Sequence, residues 1–200
     1  MKKVLILLSN GFEVFEAAAF IDILGWANVF GNEKIEIVTA GAHTKLNCTF
    51  GFQVIPDAQI KNLNINDFDA LAIPGGFEKA GFYEDGFSEE FLDLIRYFDK
   101  KKKPIASICV GALLLGKSGI LANRSATTYP LLEGKRRKQL AEMGANIEDK
   151  PIVQDGNIIT STSPATAPAV AFALLEKLTS KENVDKIQEM MGFKSGNINK

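Results

Sequence analysis

"PIASICVGALLLG", residues 104–116, joins two apolar runs of different character through a cysteine. The first, Ile105–Ile108, follows a proline and has the length of a strand buried on both faces. The second, Val110–Ser118, has the length and spacing of a helix. A buried strand that turns straight into a helix is the repeating unit of parallel α/β sheets, and the rest of the chain follows the same alternation. Strands are expected at Lys3–Leu8, Ile35–Thr39, Ala70–Ile73, Ile105–Ile108, Ser125–Thr128 and Ile158–Thr160. Helices are expected near Glu13–Phe30, Ser88–Lys100, Val110–Ser118, Lys135–Met143, Thr166–Leu178 and Lys181–Met191. "KLNCTFGFQVIPD" reads as a β-hairpin turning near Gly51.

The 200 residues, 46% apolar, suffice for one domain with a full core, expected over 1–193 with a frayed polar tail at 194–200. Two cysteines far apart in sequence offer neither a disulfide framework nor a CxxC metal site, so free thiols in a reducing cytoplasm are expected, with no metal and no cofactor. "MKKVLILLSNGFE" opens like a secretory signal, yet its apolar core is too short and it reads as a buried strand. No apolar run approaches the roughly 20 residues that span a bilayer, which argues against a membrane role. A formal net charge of −1 says little about partners, and no nucleic-acid partner is expected. The clusters "DKKKKP" (99–104) and "GKRRKQ" (134–139) read as solvated faces near helix ends.

Chemistry in open parallel sheets gathers at the carboxyl ends of the strands, where Gly11, "PGG" (74–76) and Cys109 fall. Ser107 to Gly111 parallels the nucleophile elbow, in which a small residue after the nucleophile permits a sharp turn. Cys109 at a helix start is expected to be an acidic, reactive thiol. Projection of the first helix places Phe12, Ala19, Phe20, Ile23, Ala27 and Phe30 on one side, with Glu16 near the middle of that stripe. A carboxyl group facing the core is expected to stay protonated and to donate to a thiolate. Gly75 and Gly76 permit close backbone approach, so their amides and that of Val110 are candidate oxyanion donors.

"GFEVFEA" (11–17), "LAIPGG" (71–76), "ASICVGALLL" (106–115), "ATTYPLLEGK" (126–135) and "QDGNIITSTSPATA" (154–167) together resemble the successive motifs of the ThiJ/PfpI family. That is the family of the parkinsonism-associated protein deglycase, within the class I glutamine amidotransferase-like superfamily. The resemblance implies a flavodoxin-like three-layer sandwich with a mostly parallel central sheet and a small β-hairpin, assembled as a homodimer. It also implies that Cys109 is the nucleophilic or oxidation-sensitive cysteine and Glu16 its acidic partner. Gly76 and Val110 take the family's backbone-donor positions. Pro164 matches a proline that reaches the pocket from the partner subunit.

The departures narrow the function. Tyr129 stands where the deglycase branch has a histidine, and the lone histidine, His43, lies in the connection before the hairpin. A Cys–His base pair is absent from the sequence pattern, which argues against a peptidase or a glutaminase. Trp26 and Phe50 stand where that branch has two pocket arginines, implying a more apolar pocket. What remains is glyoxalase- or deglycase-type chemistry on a small aldehyde, or redox sensing and stress chaperoning through Cys109 oxidation.

Overall fold

A computed structural model describes residues 1–193; the tail expected to fray lies outside them. In chain order the elements are β1 Lys2–Leu7, α1 Val14–Phe30, β2 Ile35–Gly41, β3 Leu46–Asn47, β4 Gln53–Val54, β5 Ala58–Gln59 and β6 Ala70–Ile73. Then follow α2 Phe82–Gly86, α3 Glu89–Lys100, β7 Ile105–Ser107, α4 Ala112–Lys117, β8 Ser125–Ala126 and α5 Lys135–Glu142. The chain continues through β9 Asn146–Ile147, β10 Ile152–Asp155, β11 Ile158–Ser161, α6 Ala167–Leu178 and α7 Lys181–Met190. The main sheet has the order β10-β11-β7-β6-β1-β2-β5 and is parallel throughout except for the β10–β11 edge hairpin. Helices α1, α6 and α7 pack together as one outer layer, and α3, α4 and α5 as the other. Because both sheet faces are covered, the central strands are continuous apolar runs. Val4–Ile6 and Ala70–Leu71 have no exposed surface, and Ile105–Ala106 between their neighbours are equally sealed. No helix among the described residues is long and apolar enough to cross a membrane.

The expected hairpin is present: β3 and β4 pair antiparallel, Leu46 opposite Val54, with Gly51 between them in the left-handed region. One expected strand is corrected. Of Ser125–Thr128 only Ser125–Ala126 pairs, in a separate two-stranded parallel ribbon with β9. The next two residues leave the ribbon because their polar groups are engaged elsewhere. The Thr127 amide donates to Thr160 Oγ1, and Thr128 Oγ1 donates to the Cys109 carbonyl at 2.8 Å. A second correction concerns the helix after Cys109. It starts as a 3₁₀ turn, Cys109–Gly111, and only Ala112–Lys117 is α-helical. The expected stripe of α1 is buried at Phe20, Ile23 and Ala27, whereas Phe30 is exposed and packs on Trp26 with ring centroids 5.2 Å apart.

Candidate functional site

Cys109 ends the path of β7 with φ of +55°, a left-handed conformation that L-residues other than glycine, asparagine and aspartate seldom adopt. Three contacts hold it there. Ile108 donates its amide to Ile73 O, Gly111 donates to Ile108 O, and Thr128 clamps the Cys109 carbonyl from across the sheet. Strain of this kind persists only where the surroundings enforce it, and here it sets the Cys109 side chain beside the loop after β6. Gly75 is the residue it meets. A Cβ built on Gly75 would lie 2.9 Å from Glu16 Oε2, 2.9 Å from Ile108 O and 3.1 Å from Cys109 Cβ, so the hydrogen side chain is what lets acid, backbone and thiol converge.

Glu16 reaches this point from the first turn of α1 and is fully buried. Its Oε2 accepts the Gly75 amide at 2.5 Å, while Oε1 has no nitrogen or oxygen partner among the described residues. The Cys109 thiol is the side chain that interacts with this carboxyl. Burial pushes the Glu16 pKa up to about 8, the Gly75 amide opposing and Glu13 adding to the rise. At neutrality Glu16 is therefore a neutral acid, as its place on the apolar stripe of the helix implies.

The thiol behaves differently from the sequence-based expectation. Burial is the largest influence on Cys109 and raises its pKa; charge on Glu16 and Glu13 pushes the same way, and the Val110 amide pulls it down. The resting group is a protonated thiol. A 3₁₀ turn and six α-helical residues align too few peptide dipoles to offset that desolvation. Gly75 also leaves the set of oxyanion donors, because its amide is already committed to Glu16. Gly76 and Val110 remain. Gly76 sits in an isolated antiparallel bridge with Phe12, where an added Cβ would meet Gly11 O at 2.3 Å and the Phe82 ring at 2.4 Å.

Cys109 lines a cavity of about 210 Å³ together with Gly76, Val110, Tyr129 and Pro164. Pro164 lines it from the same chain, from the 3₁₀ turn that opens α6. Glu13, Phe77, Glu78, Leu132 and Arg136 complete the wall and were not singled out in the sequence. Trp26 and Phe50 do not line it. Trp26 lies on the far part of α1 beside Phe30, and the exposed Phe50 reaches only the cavity's rim, through its ring contact with Phe77. His43 lies outside the cavity as well; its Nε2 is 2.9 Å from Asp85 Oδ1.

Residues 2–177 match the model of the DJ-1/PfpI family. The chain belongs to the DJ-1/PfpI family. It is similar to protein dj-1beta of Drosophila melanogaster, 30% identical over 186 residues that cover 93% of this chain and 94% of that protein. General stress protein 18 of Bacillus subtilis is 34% identical over 185 residues, covering 88% and 99%. In three dimensions the crystal structure of the Drosophila DJ-1beta superposes with a TM-score of 0.85 at 29% identity, over 97% of this chain and 99% of that one. Oxidized DJ-1 of Toxoplasma gondii superposes with a TM-score of 0.81 at 25% identity, over 98% and 100%. For a DJ-1/PfpI chain, the flavodoxin-like sandwich and the hairpin are thus accounted for. Of the lining residues the sequence did not single out, Arg136 is the cation, one member of a basic run in which Lys135 and Lys138 are exposed.

Proposed function

We propose that this chain is a cysteine-dependent glyoxalase- or deglycase-type enzyme for small α-oxoaldehydes or their protein adducts, with residues 1–193 acting as one domain in the cytoplasm. The observation that carries the reading is a buried, neutral carboxylic acid packed against a cysteine on a strained elbow that opens into a cavity of small-molecule size. Cys109 and Glu16 act as one proton-sharing unit. The pair loses its first proton near pH 8, where Glu16 titrates, and the reactive form of that monoanion is the one with the charge on sulfur beside the Val110 amide and the proton on Glu16. The thiolate attacks the aldehyde carbon, forming the C–S bond of a hemithioacetal while the carbonyl π pair moves to oxygen. The amides of Gly76 and Val110 receive that oxyanion and Glu16 protonates it. The Glu16 carboxylate then carries the proton from the aldehyde carbon to the neighbouring ketone carbon while the hydroxyl proton passes to the ketone oxygen, giving a 2-hydroxyacyl thioester. Water cleaves the thioester and restores the thiol. Methylglyoxal plus one water thus leaves as lactate, with no external oxidant or reductant.

Incubation with methylglyoxal at pH 8 while lactate is followed tests this reading. Cys109→Ser is expected to abolish turnover, a loss of at least about 10³-fold, and Glu16→Gln to reduce it by about 10²-fold, the usual range for a positioned acid–base group. Lactate formation that survives Cys109→Ser would overturn it. Peroxide adding two oxygens to Cys109 alone, in a protein without turnover, would instead favour redox sensing.

The active form is proposed to be a homodimer. Helix α1 and the β3–β4 hairpin flank an apolar groove of about 260 Å³ lined by Phe12, Val14, Ala17 and Ile21. Phe15, Phe52 and Ile55 expose 59%, 62% and 81% of their surface around it. A continuous apolar patch of this kind is what a subunit contact covers. Sedimentation at micromolar concentration should show a dimer, and the Phe52→Asp/Ile55→Asp double variant a monomer; a monomeric parent protein contradicts the assignment.

A further inference from the structure

Among the residues lining the Cys109 cavity, Arg136 is the one cation. It is 9% exposed, and its placement is built rather than incidental. The loop before α5 carries three successive left-handed residues, Leu132, Glu133 and Gly134, with φ of 58°, 57° and 70°. This turn sets Leu132 on the cavity rim and starts α5 in the phase that sends its second residue inward. The Arg136 guanidinium stacks over the Tyr83 ring, 5.2 Å from its centroid, and donates through one nitrogen to Gln139 Oε1 at 2.9 Å.

Its only carboxylate partner among the described residues is Glu78, met at 2.7 Å by the other terminal nitrogen. The pair is asymmetric. The arginine side chain is 10% exposed and the glutamate 55%, and the same glutamate oxygen is shared with Lys135 at 3.5 Å. A guanidinium offers five donors in a planar fork and binds carboxylates best in pairs of parallel bonds, which a single shared oxygen does not supply. A nearly buried cation whose counter-charge stands in water is a receptor for a second carboxylate, because Glu78 can swing into solvent while Arg136 cannot follow. The remaining acid on the wall, Glu13, is itself pushed towards its neutral form by burial, which lessens its opposition to an incoming anion.

We infer that Arg136 is the carboxylate-recognising residue of the Cys109 cavity, and that the preferred α-oxoaldehyde carries a carboxylate on the chain attached to its ketone. This rests on the aldehyde chemistry proposed above. It also revises the expectation of an apolar pocket: the arginines missing from positions 26 and 50 are replaced in role by one on a different helix.

Iodoacetate and iodoacetamide test it without turnover, since they differ only by carboxylate against amide and both form the same S–C bond with loss of iodide. Their rates of Cys109 modification are read by intact mass at pH 8 and low salt, as a ratio normalised to the same ratio for glutathione. The normalised ratio is expected to exceed about 5 in the parent protein, to fall to about 1 in Arg136→Gln, to be retained in part by Arg136→Lys, and to rise in Glu78→Gln, where the competing carboxylate is gone. A ratio near 1 in the parent protein that is indifferent to all three substitutions overturns the inference while leaving the thiol chemistry standing. Failure of both reagents to modify Cys109 overturns the inference and the proposed function together.

Discussion

Replacing Glu16 with glutamine is expected to stabilise the protein at pH 8 and to leave its stability at pH 4.5 nearly unchanged. The buried carboxyl has its pKa raised from 4.5 to about 8. Below pH 4.5 it is neutral in both folded and unfolded chains, and its contribution to stability is fully present. As the pH rises towards 8 the unfolded chain ionises freely while the folded one does not, and that contribution is lost. At about 1.4 kcal/mol per unit, the interval from 4.5 to pH 8, where the folded group is half ionised, corresponds to about 4 kcal/mol. Glutamine retains an oxygen for the Gly75 amide and cannot ionise. Its melting temperature should exceed that of the parent protein by roughly 8–16 °C at pH 8, taking 2–4 °C per kcal/mol for a chain of this size. Thermal unfolding followed by circular dichroism from pH 4.5 to 8.5 checks this, and parallel curves for the two proteins would show that Glu16 is not buried as an acid.

The same substitution separates two ways in which the pair can lose its first proton. If sulfur carries the charge of the monoanion, Glu16 is the proton donor that stabilises it, and glutamine, a poorer donor, should move thiolate formation to higher pH by about one unit or more. If the carboxyl carries the charge, the thiol must ionise beside an anion, and glutamine should move thiolate formation to lower pH. The proposed chemistry requires the first case. The Gly75 amide serves Oε2 whichever form Glu16 takes, Oε1 has no other nitrogen or oxygen partner, and the Val110 amide is aimed at sulfur.

These particulars show what the sequence carries and what it does not. The central strands are legible because burial on both faces leaves apolar runs with no polar interruption, as in Val4–Leu7 and Ala70–Ile73. Glu16 is legible because a helix has one period and a carboxyl on its apolar stripe stands out. The strand expected at Ser125–Thr128 stops at Ala126 because two threonines trade ladder hydrogen bonds for contacts 33 and 19 residues away. The engagement of the Gly75 amide by Glu16 spans 59 residues and is likewise written only in the tertiary fold. Arg136 hides in "GKRRKQ", where composition points to a solvated face, and only the left-handed turn at 132–134 determines which of the four cations enters the cavity. The position of Cys109 is readable as an elbow, whereas the direction of its pKa depends on a desolvation that no local pattern encodes.

The proton-sharing pair is tested most directly by the pH dependence of Cys109 alkylation by iodoacetamide, measured by intact mass in the parent protein and in Glu16→Gln. The account predicts that Glu16→Gln moves the midpoint to higher pH than in the parent protein. A midpoint lowered by Glu16→Gln would contradict it.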